Sequence, residues 1–270
     1  MSLMMDRLLP LALLTCTLVN SGPANAAEPD PDQIAQVSVI NALMLGQFDG
    51  TLPLGELLKL GDFGLGTFDH LDGELIALDG KIYQARSDGT VHECGPEMTT
   101  PFAVVTPFNR DVTVPCPPVG SLEQLEQVLA TLLPQENVFV AIRVDAKFAS
   151  ISLRAVGRQE PPYRPLTEVV AHQSEWTREN LNGTLVGIRC PKWVTGISVP
   201  GYHWHFLSAD HKVGGHVFDC RIESGTISFD RCKTWVVKLN DSLGAGGKDL
   251  SQDLSKELNK VERQRGTTEK

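Results

Sequence analysis

The chain has 270 residues, with 24 Lys and Arg against 33 Asp and Glu and a formal net charge of −9. That length suits one large domain or two small ones, and an acidic chain without a long basic run argues against a nucleic-acid backbone as partner. Six cysteines are present but no Cys-x-x-Cys, so neither a thiolate metal cage nor a dithiol redox pair has support.

Residues 1–26 carry the pattern of a secretory signal. Arg7 precedes an apolar run from Leu8 to Val19, and Ala24-Asn25-Ala26 offers a small-residue cleavage site. The run is too short to span a bilayer as a stable helix. Cleavage after Ala26 is expected, giving a secreted or periplasmic protein with no remaining membrane contact. Asp6 and Arg7 cancel, so the mature chain keeps its charge of −9. Cys94, Cys116, Cys190, Cys220 and Cys232 remain. Export permits disulfides, but an odd count leaves at least one thiol unpaired or pairing between chains.

After a Pro-rich leader, Gln33 to Leu45 carries Ile34, Val37, Ile40 and Leu43 at helical spacing, and Leu52 to Leu60 is a second short helix candidate. Strands are expected over Gly64 to Phe68, Leu71 to Leu78 and Lys81 to Arg86, with Asp79-Gly80 as a hairpin turn. Asp88-Gly89 marks the next turn, before strands over Thr90 to Cys94 and Phe102 to Thr106. Pro115 to Pro118 reads as a break. Ser121 then caps a helix whose apolar stripe is Leu122, Leu125, Val128, Leu129 and Leu132. Strands follow at Val138 to Val144 and Phe148 to Val156. The run Gln159 to Pro165 reads as a linker, dividing an N-terminal α/β domain (27–165) from a β-rich C-terminal domain (166–270). In the second half, strands are expected over Leu185 to Cys190, Val217 to Ile222, Thr226 to Phe229 and Thr234 to Leu239, with a turn at Ser224-Gly225. A glycine-rich joint at 244–247 precedes a terminal helix marked by Leu250, Leu254, Leu258 and Val261. The whole reads as α+β (α/β): two domains with mixed or antiparallel sheets.

The chemistry concentrates in residues 201–216, Gly-Tyr-His-Trp-His-Phe-Leu-Ser-Ala-Asp-His-Lys-Val-Gly-Gly-His. On a strand, residues i and i+2 share a face, so His203 and His205 project together and Trp204 points away. A hairpin centred between Ala209 and Asp210 would set His216 opposite His203. Cross-strand neighbours lie about 4.5–5.5 Å apart and diagonal ones about 7–8 Å, so three imidazoles can converge on one cation. Three protein ligands leave a coordination position open, the arrangement of a catalytic metal, and nitrogen donors make zinc the first choice. His211 falls in the turn, and His70, His92 and His172 have no helpful spacing.

Several separated motifs extend the reading. Gly61-Asp62-Phe63-Gly64-Leu65-Gly66-Thr67-Phe68, Leu71-Asp72-Gly73-Glu74-Leu75, and Val199-Pro200-Gly201-Tyr202-His203-Trp204-His205-Phe206 with Gly214-Gly215-His216-Val217 resemble the α-acetolactate decarboxylase family. The resemblance implies a two-domain zinc lyase that converts 2-acetolactate, a 2-hydroxy-3-keto acid, into acetoin and CO2 through a metal-bound enediolate. It implies His203, His205 and His216 as metal ligands, Glu74, Arg154 and Glu262 as catalytic residues, and Arg154 and Thr67 as substrate contacts. A homodimer is a further family-level expectation. From the residues alone, Glu74 would be an exposed strand glutamate. Arg154, alternating with Leu153 and Ala155, would be a surface residue. Glu262, four residues after Leu258, falls on the apolar side of its helix.

Two other readings fit parts of the pattern. Cupin-like oxygenases or isomerases also use a His-x-His strand, but expect a glutamate after a gap of three or four residues from the second histidine, where this chain has Ala209 and Asp210. A secreted protein holding a structural zinc, with no turnover, is the other.

Overall fold

Strict alternation along one strand organises the molecule. The computed structural model describes residues 30–134, 137–239, 243 and 247–263, so the expected signal segment and part of the glycine-rich joint lie outside the described residues. In chain order the elements are β1 (Gln33–Val37), α1 (Ile40–Met44), β2 (Leu52–Pro53), α2 (Leu54–Leu57), β3 (Phe63–Thr67), β4 (Glu74–Leu78), β5 (Lys81–Ala85), β6 (Val91–Glu93), β7 (Thr99–Thr100), β8 (Ala103–Thr106) and β9 (Val112–Cys116). There follow α3 (Leu122–Leu132), β10 (Phe139–Ala155), α4 (Leu166–Val170), β11 (Ser174–Cys190), β12 (Gly201–Ser208), β13 (Gly214–Cys232), β14 (Thr234–Lys238) and α5 (Ser255–Arg263). No helix among the described residues is long and apolar enough to cross a membrane.

Two main sheets result, beside the short pair β2–β7. One has seven strands in the order β14-β1-β8-β3-β4-β5-β6, antiparallel except for the parallel pair β1–β14. The other runs β10-β11-β12-β13-β9, and β10 also pairs with β13, so four of its strands close into a ring. Trp204 and Phe206 of β12 point into this ring, among Ile142, Val144, Phe148 and Leu185. His203 and His205 point the other way, toward the seven-stranded sheet. Gly187 opposite Trp204 makes room for the indole: a Cβ there would lie 2.0 Å from the ring.

The expected boundary at residue 165 does not coincide with the division into sheets. β9 and β10 precede it yet belong to the five-stranded sheet, and β14 follows it yet pairs with β1. The chain thus crosses between the sheets on both sides of residues 159–165, and one apolar cluster spans both, from Ile34 and Ile76 to Val186 and Leu207.

Several elements differ from the sequence reading. Residues 33–37 form a strand, with Ser38 at φ 63, a left-handed geometry that no continuous helix passes through. Its helix-like spacing reflects burial on both faces between β14 and β8. The expected helix over 52–60 is a two-residue strand followed by one turn of helix. The expected break at 115–118 includes the end of β9, where Pro115 is tolerated because β9 is an edge strand. The two strands expected over 138–156 are one 17-residue strand with irregular register against β13. β11 begins eleven residues earlier than expected, because its first half is an exposed ribbon without an apolar face. β13 runs straight through Ser224-Gly225, where glycine serves close approach: a Cβ on Gly225 would lie 2.5 Å from the Asp145 carbonyl oxygen.

Other expectations stand. Asp79 and Gly80 adopt positive φ in the hairpin between β4 and β5, and Ser121 Oγ accepts from Gln124 N–H at 3.2 Å as the cap of α3. Leu258 and Val261 are the buried side chains of α5. The five cysteines of the described residues form no disulfide, and four of them are buried.

One buried acid tests the packing between the sheets. Asp230, on β13, is fully buried; its Oδ2 accepts from Asn109 N–H at 2.9 Å, and Oδ1 has no partner. Burial pushes its carboxyl up to about 6; the Asn109 bond and Lys233 oppose the shift, while Asp111 and Asp32 add to it. A raised folded-state value means that the folded protein binds the proton more tightly than the unfolded chain, whose value is about 3.9. Stability is therefore greatest below that value and declines as pH rises through about 6. Asp230→Asn is expected to gain about 1–2 kcal/mol at pH 7.5, or about 3–6 °C in Tm, and little at pH 4. Equal shifts at both pH values in thermal denaturation would refute the assignment.

Candidate metal centre and active site

The hairpin register places the histidines. His205 pairs with His216, and His216 pairs on its other side with Arg154 of β10. The expected register set His203 opposite His216; the observed one is shifted by two residues. Because the side-chain period is also two, all three histidines still share a face. The longer turn explains the shift. Ser208 N–H donates to the Val213 carbonyl, while Ser208 Oγ accepts from the backbone N–H groups of Lys212 and Val213. His211 sits at the exposed tip with φ 56, as expected of a turn residue.

The ring centroids of His203, His205 and His216 lie 5.0, 5.0 and 5.5 Å apart, and one nitrogen from each lies within 4.8 Å of the others. His205 Nδ1 sits 2.8 Å from the Leu75 carbonyl oxygen, which can only accept; Nδ1 therefore carries the proton, and Nε2 has its lone pair free. Burial holds all three imidazoles below their ordinary range, His203 at about 3, with Arg154 adding to the effect and, at His205 and His216, the other imidazoles too. They are neutral at neutral pH, as metal ligands must be.

Two carboxylates face these rings from different walls. Glu74, at the start of β4, lies 3.5 Å from His205 Nε2. The turn that presents it depends on Gly73, at φ +88, where a Cβ would meet the Ala85 carbonyl oxygen at 2.4 Å. Glu262 of α5 lies 3.6 Å from His203 Nε2 and 3.8 Å from His216 Nε2. Burial pushes Glu74 up to about 7, with Arg154 opposing and Glu262 reinforcing the shift. Burial likewise raises Glu262, and Arg154 opposes it.

Arg154 is 4% exposed, so the surface position expected from its alternation is overturned. The strand continues beneath α5, which covers that face. Its Nη1 donates to Gln173 Oε1 at 3.1 Å and its Nη2 to the Val261 carbonyl at 3.0 Å, and the guanidinium sits over Phe218. Glu74 is 7% exposed, again against expectation, because β4 is buried along its whole length. Thr67 pairs with Glu74 across β3–β4 and donates its hydroxyl proton to the Gly73 carbonyl at 2.8 Å. All six expected residues other than His205 border one cavity of about 40 Å³ that also reaches Phe102 and Val261. Gln173 and Phe218 were not legible in the sequence, since neither belongs to a motif, and the part played by the Leu75 carbonyl is a main-chain contact that its motif does not reveal.

The donor set fits a divalent cation. Among the described residues His205 Nε2 and Glu262 Oε2 are buried without a hydrogen-bond partner, a costly state that a bound cation would relieve. By contrast, the group formed by Asp49, Asp69 and His70 already has protein partners: the Tyr163 hydroxyl donates to Asp49 and contacts His70 Nδ1, and Gly50 N–H donates to Asp69. Asp210, where a cupin-like site would want a carboxylate, is exposed and accepts from Ser208 and Lys212.

Comparison with known proteins agrees with this geometry. A family model described as alpha-acetolactate decarboxylase matches residues 34–252. The chain belongs to this family. Alpha-acetolactate decarboxylase of Methanosarcina mazei is 44% identical over 232 residues, covering 86% of this chain and 81% of that protein. The Methylococcus capsulatus protein of the same name is 40% identical, covering 85% and 88%. The crystal structure of alpha-acetolactate decarboxylase from Bacillus subtilis strain 168 aligns with a TM-score of 0.83 at 38% identity, covering 86% of this chain and 99% of that chain. The family match includes Thr67, Glu74, Arg154 and all three histidines but ends before α5, so Glu262 is placed at the centre by the geometry alone.

Replacing the most constrained ligand tests the metal centre. His205→Ala is expected to lower bound metal by about two orders of magnitude in affinity and to abolish turnover. Stoichiometric metal by elemental analysis, with normal turnover, would show that other residues hold the ion.

Proposed function

We infer that this centre decarboxylates an anionic hydroxyketo acid with its own buried residues handling the carboxylate and the proton. Family membership makes the chain a carboxy-lyase acting on 2-acetolactate, with acetoin and CO2 as products. The observation that carries the assignment of roles is the convergence of a buried guanidinium and two buried carboxyls on three neutral imidazoles.

Arg154 holds the substrate carboxylate. A guanidinium offers paired N–H donors matched to a carboxylate, and its Nε has no partner among the described residues. Gln173 and the Val261 carbonyl keep its plane in place. Thr67 lines the same cavity and, with its proton spent on Gly73, presents lone pairs toward the substrate hydroxyl. A divalent ion on His203, His205 and His216, zinc by preference for nitrogen donors, supplies a Lewis acid for the negative charge that develops.

As the C–C bond to the carboxylate breaks, CO2 leaves and the electron pair moves toward the ketone oxygen. Carbon then needs a proton delivered to one face. Glu74 and Glu262 are suited to this, because burial keeps both carboxyls protonated to higher pH than exposed glutamates, Glu74 up to about 7. Ile40, Leu43 and Leu71 line the remaining wall and keep water away from the reacting carbon. The charge balance also favours an anion. With both acids protonated and the imidazoles neutral, Arg154 leaves one net positive charge, the sign that attracts a carboxylate. We also propose that residues 1–26 direct export, supported by the Leu8–Val19 run and the Ala24-Asn25-Ala26 site.

Two measurements check this reading. Acetoin formation from 2-acetolactate should cease on complete metal removal and return with zinc; turnover that survives chelation would refute the metal's role. Removing the proton donor should spare loss of CO2 but release an intermediate that solvent protonates on either face. Chiral chromatography should therefore find racemic acetoin from Glu74→Gln or Glu262→Gln. A single enantiomer from both active variants would eliminate both glutamates as donors.

A further inference from the structure

The central cavity is about 40 Å³, room for about one water, whereas a hydroxyketo acid is several times larger. Its wall on one side is the last turn of α5. Two larger hollows, of about 300 and 340 Å³, flank that turn, and Glu262 lines all three spaces. The last turn of α5 thus lies between a small central cavity and two larger hollows.

Beside the 3.2 Å approach of His216 Nε2 to the Glu262 carbonyl oxygen, two arginine contacts hold that turn. Arg154 Nη2 donates to the Val261 carbonyl from beneath. From the side, Arg263 Nη1 donates to Glu126 Oε2 on α3 at 3.3 Å. The other carboxylate oxygen, Glu126 Oε1, accepts from Trp204 Nε1 at 3.2 Å. Trp204 lies between the two histidines of β12 in sequence, is buried inside the strand ring and stacks on Tyr202 at 5.8 Å. Glu126 therefore bridges the strand that carries His203 and His205 to the helix that carries Glu262. Only its side of the pair is well shielded: the side chain of Glu126 is 14% exposed and that of Arg263 is 51% exposed.

We propose that Glu126 is a positioning residue, which uses Trp204 as a fixed post and Arg263 as a releasable latch to hold α5 closed with Glu262 against the histidines. The substrate is admitted when the half-exposed Arg263 end lets go, and closure restores the wall. The proposal rests on the role given above to the α5 face of the centre. It differs from that role in that Glu126 touches neither the histidines nor the cavity.

The experiment uses the full-length, metal-loaded protein and 2-acetolactate. Glu126→Gln keeps an acceptor for Trp204 but removes the charge facing Arg263; Arg263→Gln removes the other half. Each is expected to lower kcat/KM about three- to fivefold, chiefly through KM, and the double variant no further than either single one. Metal content should stay at the wild-type level, and tryptic cleavage at Lys256 and Lys260 should quicken by a similar factor. Glu123→Gln, on the same hollow, should change none of these. Additive losses, unchanged kcat/KM and cleavage in both single variants, or an equal effect of Glu123→Gln would overturn the latch. A wild-type protein that forms no acetoin would instead overturn the activity, and the cleavage comparison would still judge the latch.

Discussion

A single cross-strand row, His205–His216–Arg154, underlies the whole centre. The ladder hydrogen bonds of β12, β13 and β10 hold these three residues side by side, and the two-residue period of β12 adds His203 to the same face. The same period sends Trp204 and Phe206 inward, where they fill the strand ring. Moving the register by one residue would expel the aromatics and bury the histidines in the ring core. The stability of that core therefore guards the ligand geometry: the apolar burial that holds the sheet together also fixes the direction of the imidazoles.

The other half of the centre comes from the seven-stranded sheet and from α5. β4 contributes Glu74 and, through the Leu75 carbonyl, the proton placement on His205. α5 contributes Glu262 and the Val261 carbonyl. Burying one guanidinium, two carboxyls and three imidazoles together has a large desolvation cost, several kcal/mol for each ionised group. The protein answers in part by pairing Arg154 with Gln173 and Val261 and by keeping the imidazoles neutral. The unpartnered His205 Nε2 and Glu262 Oε2 are the share left for a cation.

Local chemistry was legible wherever it was self-contained. The Asp79-Gly80 hairpin, the Ser121 cap and the amphipathic stripes of α3 and α5 need only their own residues, and each was readable. Readings failed where a distant partner decided the outcome. Residues 33–37 carry a helical spacing but become a strand because β14 and β8 flank them. Pro115 reads as a break until β9 is known to be an edge. The polar start of β11 has no pattern because neither of its faces is buried. The division at residue 165 follows a Pro-rich run, but strand pairing recruits β9, β10 and β14 across it.

The sequence by itself determined that the three histidines share one face, because strand alternation is a local property and survives a register error of two. The family resemblance pointed further to Thr67, Glu74, Arg154 and Glu262. Only the tertiary structure decided that these residues meet, that Arg154 and Glu74 are buried rather than exposed, and that α5 lines the cavity. Those outcomes depend on contacts between segments far apart in the chain, such as Glu126 with Arg263 and His205 with Leu75. Their energies come from burial and charge pairing, which exist only once the two sheets and the terminal helix have packed.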